Sequence, residues 1–219
     1  MDYKSMYEGK DFGEISYDEA LKNYTTWGIG GPADVLVKVK NENQLKELLK
    51  FNNENNIKTT VIGLGSNLLI SDKGIRGCVL ILADNYDDIN LENTEMTVLA
   101  GTSLNKAAKY SIEHNLTGME EISGIPGSVG GAVSMNAGAY GKEIKDVCIS
   151  VKAFDFEGNE YNFTNEQMNF SYRHSKIFDQ DLIVSSAVFK LQTDDNNEAL
   201  AKYEDYTNRR QTKQPLDKK

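Results

Sequence analysis

Residues 124–132 read Gly-Ile-Pro-Gly-Ser-Val-Gly-Gly-Ala, four glycines and a proline in nine positions, and nothing else in the sequence restricts the fold so strongly. Ordering so much glycine is costly in chain entropy, so a plain connector is disfavoured and close approach of something to the bare backbone is expected. A second glycine-rich run, Asn136-Ala137-Gly138-Ala139-Tyr140-Gly141, follows at once, and an earlier one, Gly63-Leu64-Gly65-Ser66-Asn67, ends a strand pattern. Glycine permits positive φ, so such a loop can aim consecutive N–H groups at one phosphate. The ordinary reading of the earlier loop is a hairpin turn, since Gly, Ser and Asn are also the usual turn formers. Together, two separated loops suit an elongated cofactor whose pyrophosphate meets one and whose ring system meets the other.

Spacing disfavours two familiar nucleotide sites. A dinucleotide fingerprint needs a third glycine and a helix directly behind the loop, and residues 63–69 offer neither. Gly141-Lys142 resembles the end of a triphosphate-binding loop, but Glu143 stands where a magnesium-binding Ser or Thr belongs.

Around the loops, patterning predicts a mixed α+β chain. Residues 34–39 alternate as a half-buried strand; Asn41 then offers a helix cap, and Leu45, Leu48 and Leu49 give the helix one apolar face. Strands are predicted at 59–62, out of the loop again at 68–70, and at 75–82, 89–91 and 96–100. Ser103 caps a helix running to about His114. Residues 147–156 and 160–163 flank Glu157-Gly158-Asn159 as a hairpin, 182–191 form a further strand, and helical spacing from 195 to 212 stops before Pro215. The division expected is a leader at 1–22, one sub-domain at 23–100, a second at 101–193 sharing a cleft with the first, and the start of a further domain at 194–219.

Composition narrows the partners. A net charge of −9 and a pI near 4.8 argue against coating nucleic acid, which needs a concentrated excess of Lys and Arg. No apolar run approaches the ~18 residues of a membrane span, and the polar N-terminus lacks a signal peptide's apolar core, so a cytoplasmic protein is expected. Cys78 and Cys148 each sit inside an apolar run and read as small buried hydrophobes, not as a disulfide, nucleophile or metal ligands. Nothing sets the oligomeric state, and a monomer is the default.

The segment Thr25-Thr26-Trp27-Gly28-Ile29-Gly30-Gly31-Pro32-Ala33, the 63–68 loop, residues 124–132 with 136–141, and Ser171-Tyr172-Arg173 occur in an order that resembles the UDP-N-acetylenolpyruvoylglucosamine reductases, over about residues 23–215. The resemblance implies an FAD-binding fold of the vanillyl-alcohol-oxidase (PCMH) type, α+β in two sub-domains, holding FAD non-covalently. It implies that NADPH reduces the flavin and that the flavin passes hydride to the enolpyruvyl group of a UDP-sugar, giving UDP-N-acetylmuramate for peptidoglycan. By the same resemblance the FAD contacts are Gly63, Leu64, Gly65, Ser66, Asn67 and Leu68; Gly124, Ile125, Pro126, Gly127, Ser128, Gly130, Gly131 and Ala132; and Asn136, Gly138, Ala139, Tyr140 and Ile183.

Arg173 matches the family's catalytic arginine, whose planar charged fork suits a carboxylate becoming enolate-like, with Tyr172 as its positioning neighbour. Without the resemblance Arg173 would read as a surface cation. Arg210 and Lys213 are the expected contacts to the UDP-sugar pyrophosphate, although the end of a helix also stabilises cations without a ligand. His114 and His174 match no functional position. Family members continue into a C-terminal domain bearing a proton-donating serine and an assisting glutamate, with no counterpart before Lys219; impaired turnover, by ~10²–10⁴ for a missing general acid, is therefore expected. Two other readings stay open: another flavin oxidoreductase of the same fold, and a non-catalytic FAD- or nucleotide-binding module.

Overall fold

The computed structural model describes residues 2–213 apart from residue 84. Asp2 caps a short helix, α1 (Tyr3–Tyr7), and the chain then enters strand β1 (Glu14–Ala20). Residues 1–22, read from the sequence as a leader, thus supply an edge strand, and Tyr7 and Phe12 pack edge-on and tilted against Phe51 in the core. Strand β2 (Pro32–Lys38) follows, then helix α2 (Glu42–Glu54), strand β3 (Thr59–Ile62) and strand β4 (Ile75–Ile81). Asn41 caps α2 by accepting from Gln44 N at 2.9 Å, and Leu45, Leu48 and Leu49 are fully buried, as their spacing predicts.

The sheet order is β1-β2-β4-β3, with β2 and β3 both parallel to β4. Period-two alternation serves two cores: Val35, Val37, Cys78 and Leu80 face one, and Leu36, Val79 and Ile81 face the other. Because β3 and β4 run the same way, residues 63–74 must carry the chain back along the sheet, which no hairpin turn can do. The strand expected at 68–70 does not form: Leu69 is 75% exposed, and only Ile70 is buried.

The second half contains β5 (Ile89–Glu92), β6 (Glu95–Leu99), α3 (Leu104–Glu113), β7 (Leu116–Thr117), α4 (Val129–Ser134), β8 (Gly138–Ala139), β9 (Lys142–Glu143), β10 (Cys148–Phe154), β11 (Glu160–Thr164), α5 (Lys176–Asp179), β12 (Ile183–Lys190), β13 (Gln192–Thr193) and α6 (Ala199–Lys213). Its antiparallel sheet has the order β11-β10-β12-β6-β5. The β10–β11 hairpin forms as expected, and the Asp155 carboxylate holds its turn by accepting from Glu157 N and Asn159 N. Strand β6 pairs with β12, so sheet membership changes between Ile81 and Ile89 and not at Gly101. Alternation identifies a strand without naming its neighbour, which is why residues 95–99 read as part of the first unit. Helix α6 starts at Ala199 and not at 195, because the Asp194 side chain accepts from Glu198 N and Ala199 N.

One apolar cluster runs through both sheets, from Val35 and Leu80 to Phe154 and Phe189. Across the same junction Glu42 on α2 pairs with Lys152 on β10 at 3.2 Å, and Tyr86 and Ser185 share a buried hydrogen bond of 2.7 Å. Cys78 and Cys148 are free and buried, and desolvation pushes their thiols up to about 11 and about 12. No described helix is long and apolar enough to cross a membrane.

Candidate functional site

Where β3 ends, the chain is pressed against the turn at 24–26: Thr26 N donates to Gly65 O at 3.1 Å. Gly65 has φ +63°, and a Cβ there would lie 1.9 Å from Tyr24 O, so only glycine fits. The second glycine loop reaches the same place. Ser66 Oγ donates to Pro126 O at 2.8 Å, and a Cβ on Gly63 would lie 2.4 Å from Ser128 Oγ. Backbone bonds from Val129 N to Thr102 O, from Leu104 N to Gly127 O and from Gly130 N to Ala100 O pin this loop to the start of α3.

The two loops therefore touch at 63–66 and 126–128, which corrects the picture of one loop at each end of a long ligand. They form one cradle. Among the described residues, the N–H groups of Leu64, Gly65, Ser66 and Asn67 donate to no protein acceptor. Consecutive unpaired amides in a glycine-bearing loop make an anion seat of the kind a pyrophosphate fills, so the residues present fit an FAD.

A groove of about 470 Å³ is lined by the β8–β9 ribbon, Asn136, Lys145, Asp146, Tyr172 and Arg173. Ser171 and His174 bond reciprocally through their backbones at 3.1 and 3.3 Å, which leaves Tyr172 and Arg173 at the tip of a two-residue turn. Arg173 has φ +56°, and Tyr172 is 86% exposed. Lys142 and Lys145 add positive charge, and Lys145 pairs with Glu143 at 2.6 Å. That pairing, helped by a bond from Asn136, holds the Glu143 carboxyl below its ordinary range and raises the Lys145 ammonium. The sequence reading missed this charged wall, although three of its members, Lys142, Glu143 and Lys145, directly follow the glycine run.

The other expected contacts divide. Ile125, Gly127, Ser128, Gly130, Gly131 and Ala132 lie on or beside the cradle, the last three within the helix α4 that Ser128 caps. Leu68 is exposed just past the first loop, and Ile183 is buried at the start of β12. Gly138, Ala139 and Tyr140 line the groove. The side chain of Asn136 is 1% exposed and fully engaged inside the protein: Nδ2 donates to Glu143 Oε2 and Ser171 O, and Oδ1 accepts from Lys145 N.

Helix α6 is seated on the same region. Tyr206 packs on the Tyr140 ring at 4.7 Å, and Arg210 lies across Gly124, whose Cβ position is 3.0 Å from Arg210 Cδ. Burial lowers the Arg210 guanidinium from its ordinary value. Arg209 instead pairs with Asp205 at 2.6 Å. The side chain of Lys213, and residues 214 and 215, lie outside the described residues. His114 is bonded to Tyr110 O and His174 to Asp179, and neither lies in a glycine loop.

The sequence family described as "FAD binding domain" matches residues 33–164, and with the relatives that follow it makes this chain an FAD-containing oxidoreductase. A cholesterol oxidase from Brevibacterium sterolicum shares the fold, with a TM-score of 0.60 and 13% identity over 82% of this chain and 38% of that one. A UDP-N-acetylenolpyruvylglucosamine reductase from Thermus caldophilus superposes with a TM-score of 0.77 and 32% identity over 92% of this chain and 70% of that one. The chain is 45% identical to the UDP-N-acetylenolpyruvoylglucosamine reductase of Clostridioides difficile over 93% of its own length and 67% of the relative's. The Enterococcus faecalis reductase is 41% identical over 99% and 72%. The chain belongs to the UDP-N-acetylenolpyruvoylglucosamine reductase family, and it spans about two thirds of the length of these relatives.

Proposed function

We propose that the protein binds FAD non-covalently in the joined glycine loops and catalyses NADPH-driven reduction of UDP-N-acetylglucosamine enolpyruvate to UDP-N-acetylmuramate, a peptidoglycan precursor. The observation that supports this most is the meeting of the 63–67 and 124–128 loops at the start of helix α4, with Asn136, just past its end, lining a groove that has Arg173 on its wall. When bound, the flavin supplies the hydride.

In this reading the N–H groups of Leu64 to Asn67 hold the FAD pyrophosphate, and Gly65 lets their loop close against the Tyr24 carbonyl. Arg173, on a turn too tight to swing freely, steadies the substrate carboxylate as negative charge develops on it. Tyr172 flanks it, Lys142 and Lys145 strengthen the positive field, and Arg210 with Lys213 takes the UDP-sugar pyrophosphate. Ser175 is fully buried and donates to Ser134 O, while the backbone of Ser171 closes the Arg173 turn. Neither is assigned the return of the proton. Two free cysteines favour a reducing, cytoplasmic setting, and the monomer is taken as the working unit.

The test follows the flavin's visible absorbance. The purified protein should be yellow, release its flavin on denaturation, bleach with NADPH, and recover its colour when the enolpyruvyl substrate is added. Arg173→Ala should leave bleaching intact and slow the recovery by ~10²–10³. A colourless protein whose melting temperature FAD does not raise would end this reading in favour of a non-catalytic module. Recovery with a sugar or alcohol oxidase's product, but not with the enolpyruvyl substrate, would favour another flavoenzyme of the fold.

A further inference from the structure

We propose that Asn136 is a positioning residue that fixes the Arg173 turn relative to the flavin cradle, its side chain bonding to protein and not to the flavin. The inference rests on the role just given to Arg173. Asn136 closes α4 with φ +41°, a conformation that Asn tolerates better than most residues. Its amide makes three bonds, and they reach both walls of the groove. On one wall it bonds Glu143 Oε2 at 3.1 Å and Lys145 N at 3.0 Å; on the other it bonds Ser171 O at 3.0 Å.

Ser171 is the residue whose backbone closes the Tyr172–Arg173 turn against His174, so moving Ser171 moves Arg173. The far shoulder of the turn is tied to the same helix end, through Ser175 Oγ donating to Ser134 O at 2.8 Å. Helix α4 itself begins at Ser128, against Gly63. A continuous run of packing contacts and part-buried bonds thus leads from the cradle through α4 and Asn136 to the Arg173 turn. At 1% exposure, with both amide hydrogens in use and the oxygen already bonded, the side chain has no donor left to offer a cofactor.

Two variants test this. Asn136→Gly keeps the positive φ and removes all three bonds; Asn136→Asp keeps size and acceptor but loses both donors and sets a carboxylate against Glu143. Three readouts are compared: FAD affinity by fluorescence titration, the rate of limited trypsin cleavage at the Arg173–His174 bond by mass spectrometry, and flavin reoxidation by substrate. FAD affinity should stay within about threefold and NADPH bleaching should be unchanged. Cleavage at Arg173 should accelerate at least about fivefold with other sites unaffected, and reoxidation should slow by roughly 10- to 100-fold, as for a misplaced catalytic group.

Loss of FAD affinity beyond about tenfold with the trypsin pattern unchanged would make Asn136 a flavin contact and overturn the proposal. So would unchanged cleavage and reoxidation. If Asn136→Gly is cleaved at every site, Asn136→Asp decides, and general cleavage of both variants would replace the positioning role with a global one. Arg173→Ala separates the two ideas. Should it leave reoxidation untouched, the reductase reading fails, while the trypsin result still decides whether Asn136 holds the turn.

Discussion

At Gly65 a single added methyl should harm both the fold and the cofactor site. Its φ of +63° already disfavours a side chain, and the Tyr24 carbonyl occupies the place of a Cβ. Gly65→Ala should cost about 2 kcal/mol or more and weaken FAD binding at least about tenfold, read from the melting temperature and a flavin titration. Gly9→Ala is the matched control, since Gly9 has φ +71° with nothing within 4 Å of its Cβ position. It should lower the melting temperature slightly and leave FAD affinity alone; equal effects on affinity would show that strain, and not the cradle, is being measured. At this scale the sequence was legible wherever backbone freedom is the signal, as at Gly63 and Gly65. It was illegible at Asn136, because composition and spacing do not say whether an amide turns toward a ligand or toward Ser171 and Glu143.

Elements with their own local chemistry were legible too: the Asn41 and Ser103 caps, the leucine face of α2, and the Glu157-Gly158-Asn159 turn between β10 and β11. Helix α4 was not, because Gly130 and Gly131 are poor helix formers and the helix is held by Ser128 at its start and by backbone bonds to Ala100 and Thr102. The supposed strand at 68–70 failed for a topological reason, the parallel pairing of β3 with β4. The β8–β9 ribbon is too short to signal itself, yet it sets the charged wall of the groove through Glu143 and Lys145. Its pH dependence has a definite sign. Because the folded Glu143 carboxyl lies below its ordinary 4.5, its contribution is complete above that value and disappears as pH falls further. The group is largely solvated, so the contribution is about 0.5 kcal/mol. Glu143→Gln should melt about 1–2 °C below the parent at pH 7, and the gap should shrink as the pH falls below 4.5. A gap that persists at pH 3 would locate the effect in shape and not in charge.

For the whole molecule, the sequence suggested two sub-domains, and the two larger sheets of the structure divide between Ile81 and Ile89. What the sequence could not reveal is that they share a core. Val35, Leu80, Met96, Phe154 and Phe189 belong to one continuous cluster, and Glu42 reaches across to Lys152 and Ser185. Neither half can open without exposing apolar surface on the other, which makes independent unfolding costly. Trp27 reports on this well: it is the sole tryptophan, it sits 53% exposed in the segment against the first glycine loop, and it lies far along the chain from the second sheet. In urea, its fluorescence and the far-UV circular dichroism should give coincident transitions, and FAD should move both midpoints by the same amount. Glu42→Ala should lower both midpoints together. If the Trp27 transition instead came earlier by more than about 0.5 M urea, the first sheet would be a unit of its own. The cradle, which needs residues from both halves at Ser66 and Pro126, would then be lost before the second sheet unfolds.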